Sequence, residues 1–218
     1  MEAFPISTDR RGRRRAQTGA AILDAAERLF LTRGFEATTI ELLSEGADVA
    51  VGSIYGHFGG KEGVYAALID RVLELDARYC DEGWASGTDP VERLVGIGEG
   101  YLRFAREKPG HFRLFRFPPA GGPTGGPAAT ATTRVAERVR SEVARMAGAL
   151  REAIAQGTVR SVDPERGAVF LWAAWDGVIA AHVLPGNMGL SEREFEEVLV
   201  LGREVLALGL LQPTGPAL

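Results

Sequence analysis

Residues 18–65 read TGAAILDAAERLFLTRGFEATTIELLSEGADVAVGSIYGHFGGKEGVY, and three helical patterns fit into them. In the first, from about Thr18 to Arg33, Ile22, Ala26, Leu29, Phe30 and Arg33 keep to one helical face. Gly34 then stands where a left-handed C-terminal cap belongs. A second helix is expected from Thr38, which has capping-box spacing to Glu41, to about Gly46. The third, Val51 to Phe58, is very short and carries Ser53, Tyr55 and His57 among small residues before Gly59 and Gly60. So short a helix buries too little surface to exist for packing alone. Spacing turns Ile54 and Phe58 toward the first helix, and the remaining side chains face outward. The pattern predicts a DNA-recognition helix in a helix-turn-helix unit.

The rest of the chain reads as helix throughout, with no strand alternation and no internal repeat. A fourth helix is expected from Lys61 to about Asp81, with Val64, Leu68, Val72 and Leu75 in the core. Asp89 and Pro90 start another, reaching Glu107, and His111 to Phe117 forms a short aromatic one. Residues 118–127, PPAGGPTGGP, contain eight Pro or Gly and predict a flexible loop. Helical spacing resumes from Val135 to Gln156, and Asp163 and Pro164 open a helix that is apolar nearly all round. Ser191 and Glu194 have capping-box spacing ahead of a last helix, with Phe195, Val198, Leu199, Val205 and Leu206 expected inward. A helix apolar on all sides must be buried on all sides. The last two helices therefore predict a homodimer through a four-helix bundle, an internal core helix being the other reading.

Composition bounds the class. At 218 residues, 45% hydrophobic and 25% charged, the chain has the make-up of a soluble globular protein. Cys80 is the single cysteine, so no internal disulfide forms, which fits a reducing compartment. The run Arg10, Arg11, Arg13, Arg14, Arg15 lacks a following apolar region and is not a secretory signal. The apolar stretch Ala168 to Leu184 is broken by Asp176 and His182 and is short for a bilayer span. These readings predict a cytoplasmic protein with no membrane partner. Residues 1–16 read as a disordered basic arm, whereas residues 21–60 hold six acidic side chains against Arg28 and Arg33. Positive charge thus sits ahead of the reading unit.

The motif IL-x-AA-x-x-LF at Ile22 to Phe30, then Gly34, Thr38-Thr39, Ala47, Val49, Gly52, Tyr55-x-His57-Phe58 and Lys61-Glu62, resembles the TetR family of transcriptional regulators. The resemblance implies an all-α protein. Residues 17–66 would be its helix-turn-helix DNA-binding domain and residues 67–218 a helical effector-binding and dimerisation domain. It further implies a ligand-responsive regulator, a repressor released from its double-stranded operator by a small apolar or aromatic effector. Thr39, Tyr55, His57 and Lys61 would meet phosphates, while Val51, Gly52 and Ser53 lead the third helix into the major groove. The chain departs from the family pattern at Asp48, where Gly is usual, and at Ala50, where Ser is usual. An all-helical binding or interaction protein that has lost sequence-specific DNA binding stays open as the alternative.

On the effector side, Tyr101, Phe104, Phe112, Phe115, Trp172 and Trp175, with Asp176 and His182 among them, are the candidate lining of a mostly apolar pocket. Trp175, Ile179 and His182 share one helical face, and Trp172 and Asp176 the neighbouring one. No Glu-x-x-His pair, phosphate loop or G-x-S-x-G turn occurs, and the three histidines fall in separate segments. Neither an enzyme, a metal site nor a cofactor is expected.

Overall fold

Helix ends in this chain carry chemical marks that set the element order. Asp89 accepts from the backbone N–H groups of Val91 and Glu92 with Pro90 in the first turn, and Asp163 accepts from Arg166. Ser191 and Glu194 complete a reciprocal capping box. The computed structural model describes residues 7–116, 126–184 and 188–212. Among these, the elements are α1 (Ser7–Arg33), α2 (Ile40–Ala47), α3 (Val51–Phe58), α4 (Lys61–Ser86), α5 (Pro90–Glu107), α6 (Pro109–Arg116), α7 (Gly126–Ala155), α8 (Pro164–Val183) and α9 (Glu192–Leu210). A single bridge, Val159 to Leu211, is the only strand-like pairing among the described residues. The all-α class is as expected.

Several boundaries differ from the sequence reading, each for a local reason. Residues 7–16, expected as a disordered arm, continue α1. Arg, Ala and Gln are strong helix formers, so the run needs no apolar face to extend an existing helix. The second helix is capped by Thr39, whose side chain accepts from Leu42 N at 3.2 Å. Thr38 is instead fully buried and donates to Gly34 O at 2.8 Å, closing the turn that leaves α1. Within the expected loop at 118–127, Gly126 and Pro127 already belong to α7, and residues 117–125 lie outside the described residues.

The chain divides into two compact units, residues 1–73 with 114–135 and residues 74–113 with 136–218. The division inside α4 falls later than the boundary at 66/67 drawn from sequence. In the first unit, Ile22, Ala26, Phe30, Leu43, Ile54, Val64 and Leu68 form the core. Phe30, Phe35 and Tyr65 meet with ring centroids 5.4 to 5.8 Å apart. The α3–α4 corner depends on Gly63, where a Cβ would stand 1.7 Å from Phe58 O.

In the second unit, α5 touches the C-terminal half of α4 backbone to backbone. A Cβ on Gly96 would lie 2.0 Å from Gly83 O, and one on Gly100 would lie 2.2 Å from Tyr79 O. The GIGEG run at 96–100 is therefore a packing surface. Leu94, Ile97, Met146, Leu150, Ala168 and Leu171 build this unit's core. The last two helices are only partly buried: Phe170 on α8 is 63% exposed and Leu208 on α9 is 87% exposed. Val205, expected inward, is also exposed, whereas Phe195 and Leu199 are buried.

Candidate nucleic-acid interface and effector site

The turn between α2 and α3 decides how α3 is presented. Asp48 adopts φ 52°, ψ 49°, its N–H donates to Glu45 O, and Val49 N–H donates to Ser44 O at 3.1 Å. This is the pairing of a Schellman motif, and Asp is among the few residues other than Gly that enter the left-handed region at modest cost. The turn therefore survives the departure from Gly. Ala50 occupies the N-cap of α3 and makes no side-chain cap, as the loss of Ser implies.

The outer face of α3 is smooth. Val51, Gly52, Tyr55 and Gly56 are exposed, and a Cβ on Gly52 or Gly56 would meet nothing within 4 Å. Ser53 is half-buried and Ile54 fully buried against the core. Phe58 packs partly buried on the same cluster. Thr39 is exposed at the start of α2, and Lys61 is half-buried at the start of α4. The Lys61 ammonium donates to Phe35 O at 2.9 Å and lies 4.3 Å from the Phe35 ring centroid. That single bond uses one of its three donors.

His57 differs from expectation. Its Nδ1 faces Ser53 O at 2.8 Å and its Nε2 faces Arg15 O at 3.2 Å, so both nitrogens point at backbone carbonyls. A neutral imidazole has one N–H and can donate to one of them. Arg15 adds a bond from its guanidinium to Gly56 O at 3.1 Å. The ring and the guanidinium thus fasten the start of α1 to α3. Sequence periodicity carries no signal for that contact, because the partners are 41 and 42 residues apart.

Electrostatics also change once the fold is known. Asp24 and Glu27, two of the six acidic residues of 21–60, flank Arg71, with Nη1 2.5 Å from Asp24 Oδ1. Arg71 lies outside the counted window but in the same unit. Glu41 accepts from its own backbone and from Thr39, which holds its carboxyl below the usual range and keeps it ionised.

On the effector side, four of the expected residues come together. Tyr101 donates to Asp176 Oδ1 at 2.8 Å, and its ring centroid is 5.4 Å from that of Phe112. Phe112 meets Phe104 edge-on at 6.1 Å, and Tyr79 extends the group at 5.8 Å from Phe104. The others are placed elsewhere. Trp175 lies against Gly98, where a Cβ would come 2.5 Å from the indole, and under the Arg203 guanidinium. Trp172 borders the Leu94–Leu171 core cluster. His182 stacks on Phe195 at 4.4 Å, faces Leu190 O through Nδ1, and pairs with Glu192. Phe115 is buried in the first unit.

A second polar group went unnoticed in the sequence. Buried Asp76 accepts from Arg138 Nε at 3.0 Å, and Arg138 also bonds Glu142. Arg138 Nη2 and Glu142 Oε2 are buried without a hydrogen-bond partner. Their i, i+4 spacing on α7 reads as an ordinary surface pair. Among the described residues no helix is long and apolar enough to cross a membrane, and no group of three or more His, Cys, Asp or Glu could hold a metal.

A capped two-helix unit with a smooth, exposed second helix, set on its own core, defines a helix-turn-helix protein. The family model for bacterial regulatory proteins of the tetR family matches residues 22–68, and a Tetracyclin repressor-like C-terminal domain matches residues 94–200. The chain belongs to the TetR family of transcriptional regulators. It is 39% identical over 77 residues to the HTH-type transcriptional repressor KstR2 of Mycobacterium tuberculosis, covering 35% of this chain and 38% of the relative. It is 44% identical over 66 residues to the regulator TtgR of Pseudomonas putida, covering 30% and 31%. The chain thus spans under two fifths of the length of these relatives. The solved structure of AibR in complex with isovaleryl coenzyme A and operator DNA matches at TM-score 0.65 and 20% identity, covering 88% of this chain and 97% of that one.

Proposed function

We propose that the chain is a homodimeric, ligand-responsive DNA-binding regulator, acting in the cytoplasm as a repressor and without catalytic activity. The observation that carries this reading is the α2–turn–α3 unit. Its Schellman turn and the open Gly52 and Gly56 positions on its outer face let the α3 backbone approach a major groove closely. In this reading residues 17–66 serve as the DNA-binding domain. Val51, Gly52 and Ser53 meet base edges, and Thr39, Tyr55 and Lys61 meet phosphates. His57 acts through the start of α1, which it fastens, more than by direct contact.

Residues 67–218 supply the effector site and the dimer. The exposed apolar residues of α8 (Val169, Phe170) and α9 (Val198, Leu201, Val205, Leu208) recur at helical spacing on faces their own protomer leaves uncovered, which supports a four-helix bundle across a two-fold axis. Tyr101, Phe104, Phe112 and Asp176 are the best-supported part of the effector site, an aromatic wall with one fixed polar pair. Trp172, Trp175 and His182 enter only if the effector extends beyond that group. AibR, a structural neighbour crystallised with both an acyl thioester and operator DNA, supports the pairing of ligand and DNA in one molecule.

The test is selection of the purified protein against random duplex DNA. Enrichment of a palindromic sequence whose preference changes in Val51→Ala or Ser53→Ala is the expected result. Absence of any sequence enrichment would favour an interaction protein that no longer reads DNA.

A further inference from the structure

We propose that the second unit holds a separate binding site for a small, uncharged apolar molecule of roughly benzene to toluene size. The site is a cavity of about 150 Å³ between α5, α7, α8 and α9, with Leu94, Met146, Leu150, Leu171, Leu206 and Leu210 among its walls. None of Tyr101, Phe104, Phe112 or Asp176 lines it, so it is distinct from the effector group described above; Trp175 alone of the expected effector residues borders it.

Three observations define the occupant. The first is size: apolar cavities of roughly 150 Å³ in other proteins stay dry and accept benzene or xenon. The second is chemistry. The cavity's one charged residue is Arg203, whose guanidinium is paired with Glu99 and lies 5.8 Å from the Trp175 ring centroid. Its charge is answered, so nothing in the wall calls for an anion or a hydrogen-bonding group.

The third is closure. The far end of α9 is fastened by Arg160 N–H to Leu210 O at 2.9 Å and Gln212 N–H to Thr158 O at 3.1 Å. The opposite rim is the solvent-exposed Arg203–Glu99 pair, of a kind that contributes little to stability and parts easily. One end of the cavity is thus pinned, and the other, beside exposed Val95 and Arg203, opens to solvent. The same helix α9 carries Leu206 and Leu210 in the cavity wall and Leu201, Val205 and Leu208 on its uncovered face. An occupant therefore props the helix proposed for dimerisation.

Toluene is titrated into the full-length protein without DNA, read by tryptophan fluorescence and by the thermal midpoint. Saturable quenching with a rising midpoint is expected, with Trp175→Phe losing most of the fluorescence change but keeping the thermal one. Ala207→Phe and Val95→Phe fill the cavity from two sides, and each folded variant should weaken toluene at least tenfold. Quenching that never saturates, toluene binding undiminished in both filled variants, or benzoate binding more tightly than toluene would each overturn the proposal. Because DNA is absent, failure here leaves the regulatory reading untouched, and loss of operator binding would leave this site standing.

Discussion

Replacing Asp76 by Asn should remove a pH dependence from folding that the wild type carries. Asp76 is 2% exposed on α4 and is faced by Arg138 and Glu142 from α7 and by the Cys80 thiol from its own helix. Burial pushes its carboxyl up from 3.8 to about 6, against the attraction of Arg138, and the neighbouring Glu142 pushes in the same direction as burial. Burial, then the Asp76 charge, also drives the Cys80 thiol up, so the thiol stays protonated. Between the two values of Asp76 the folded state keeps a proton that the unfolded chain has released. Its contribution is complete below about pH 4 and is lost as pH rises through about 6. A rise of about 2 units corresponds to about 3 kcal/mol, with a steepest slope of about 1.4 kcal/mol per pH unit. Glu92 and Glu194 act in the opposite sense, since hydrogen bonds from Thr88 and Ser191 lower them, but they are common to both proteins and cancel in the difference. The assay is urea denaturation of wild type and Asp76→Asn at pH 4, 5, 6 and 7 at one fixed protein concentration, because the proposed dimerisation would couple stability to concentration. The lost Arg138 partner appears as a constant offset, and on top of it Asn should gain about 2.4 kcal/mol relative to wild type between pH 4 and 7, most of the full span. Two parallel curves would refute the assignment of that proton to Asp76.

Three further outcomes follow from local geometry. Ala50→Ser restores a side-chain cap to α3 and should raise stability by about 1 kcal/mol, whereas Asp48→Val, which forces a β-branched residue into φ 52°, should lower it by about 1–2 kcal/mol; urea midpoints read both. Leu201→Glu and Val205→Glu place charge on the uncovered face of α9 and should give folded monomers by sedimentation, while Leu199→Glu, at a position buried within the protomer, should lose helical circular dichroism instead. Deleting residues 1–14, which keeps the Arg15 contacts to α3, should weaken binding to all DNA sequences alike and flatten the dependence of log affinity on log salt by about 0.9 per phosphate given up, an unchanged slope meaning that the deleted arginines do not reach DNA.

What the sequence conveyed and what it concealed divide along one physical line. Periodicity and caps are local, and they located seven of the nine described helices closely, from the Asp89-Pro90 start of α5 to the Ser191–Glu194 box of α9, while α1 and α7 begin well before the expected residues. They failed where two local solutions competed. Thr38 and Thr39 are both able to cap α2, and the choice fell to the tertiary need for a donor to Gly34 O in a buried corner. The arginine-rich start has no apolar stripe, yet helix propensity and the contacts of Arg15 and His57 across α3 extend α1 through it. No rule of spacing reveals an anchor 41 residues away.

The candidate effector residues show the same limit from the other side. Composition marks aromatic residues on helices, but a helical face does not name its neighbour. Tyr101 and Asp176 are joined across 75 residues, whereas Trp172 and Asp176, one turn apart, look into different surroundings. His182 is satisfied by Leu190 O and Glu192, so a polar residue in an apolar run marks a helix corner here. The GIGEG run is the clearest missed signal. Three glycines at every second position in a helix cost stability unless another backbone lies against them, and that cost alone implies close contact with a second helix. The contact that results, α5 against the end of α4, is also what sets Tyr101 and Gly98 at fixed depth beside Asp176 and Trp175 of α8. The Tyr101–Asp176 group is therefore positioned by residues that have no side chain to bind anything.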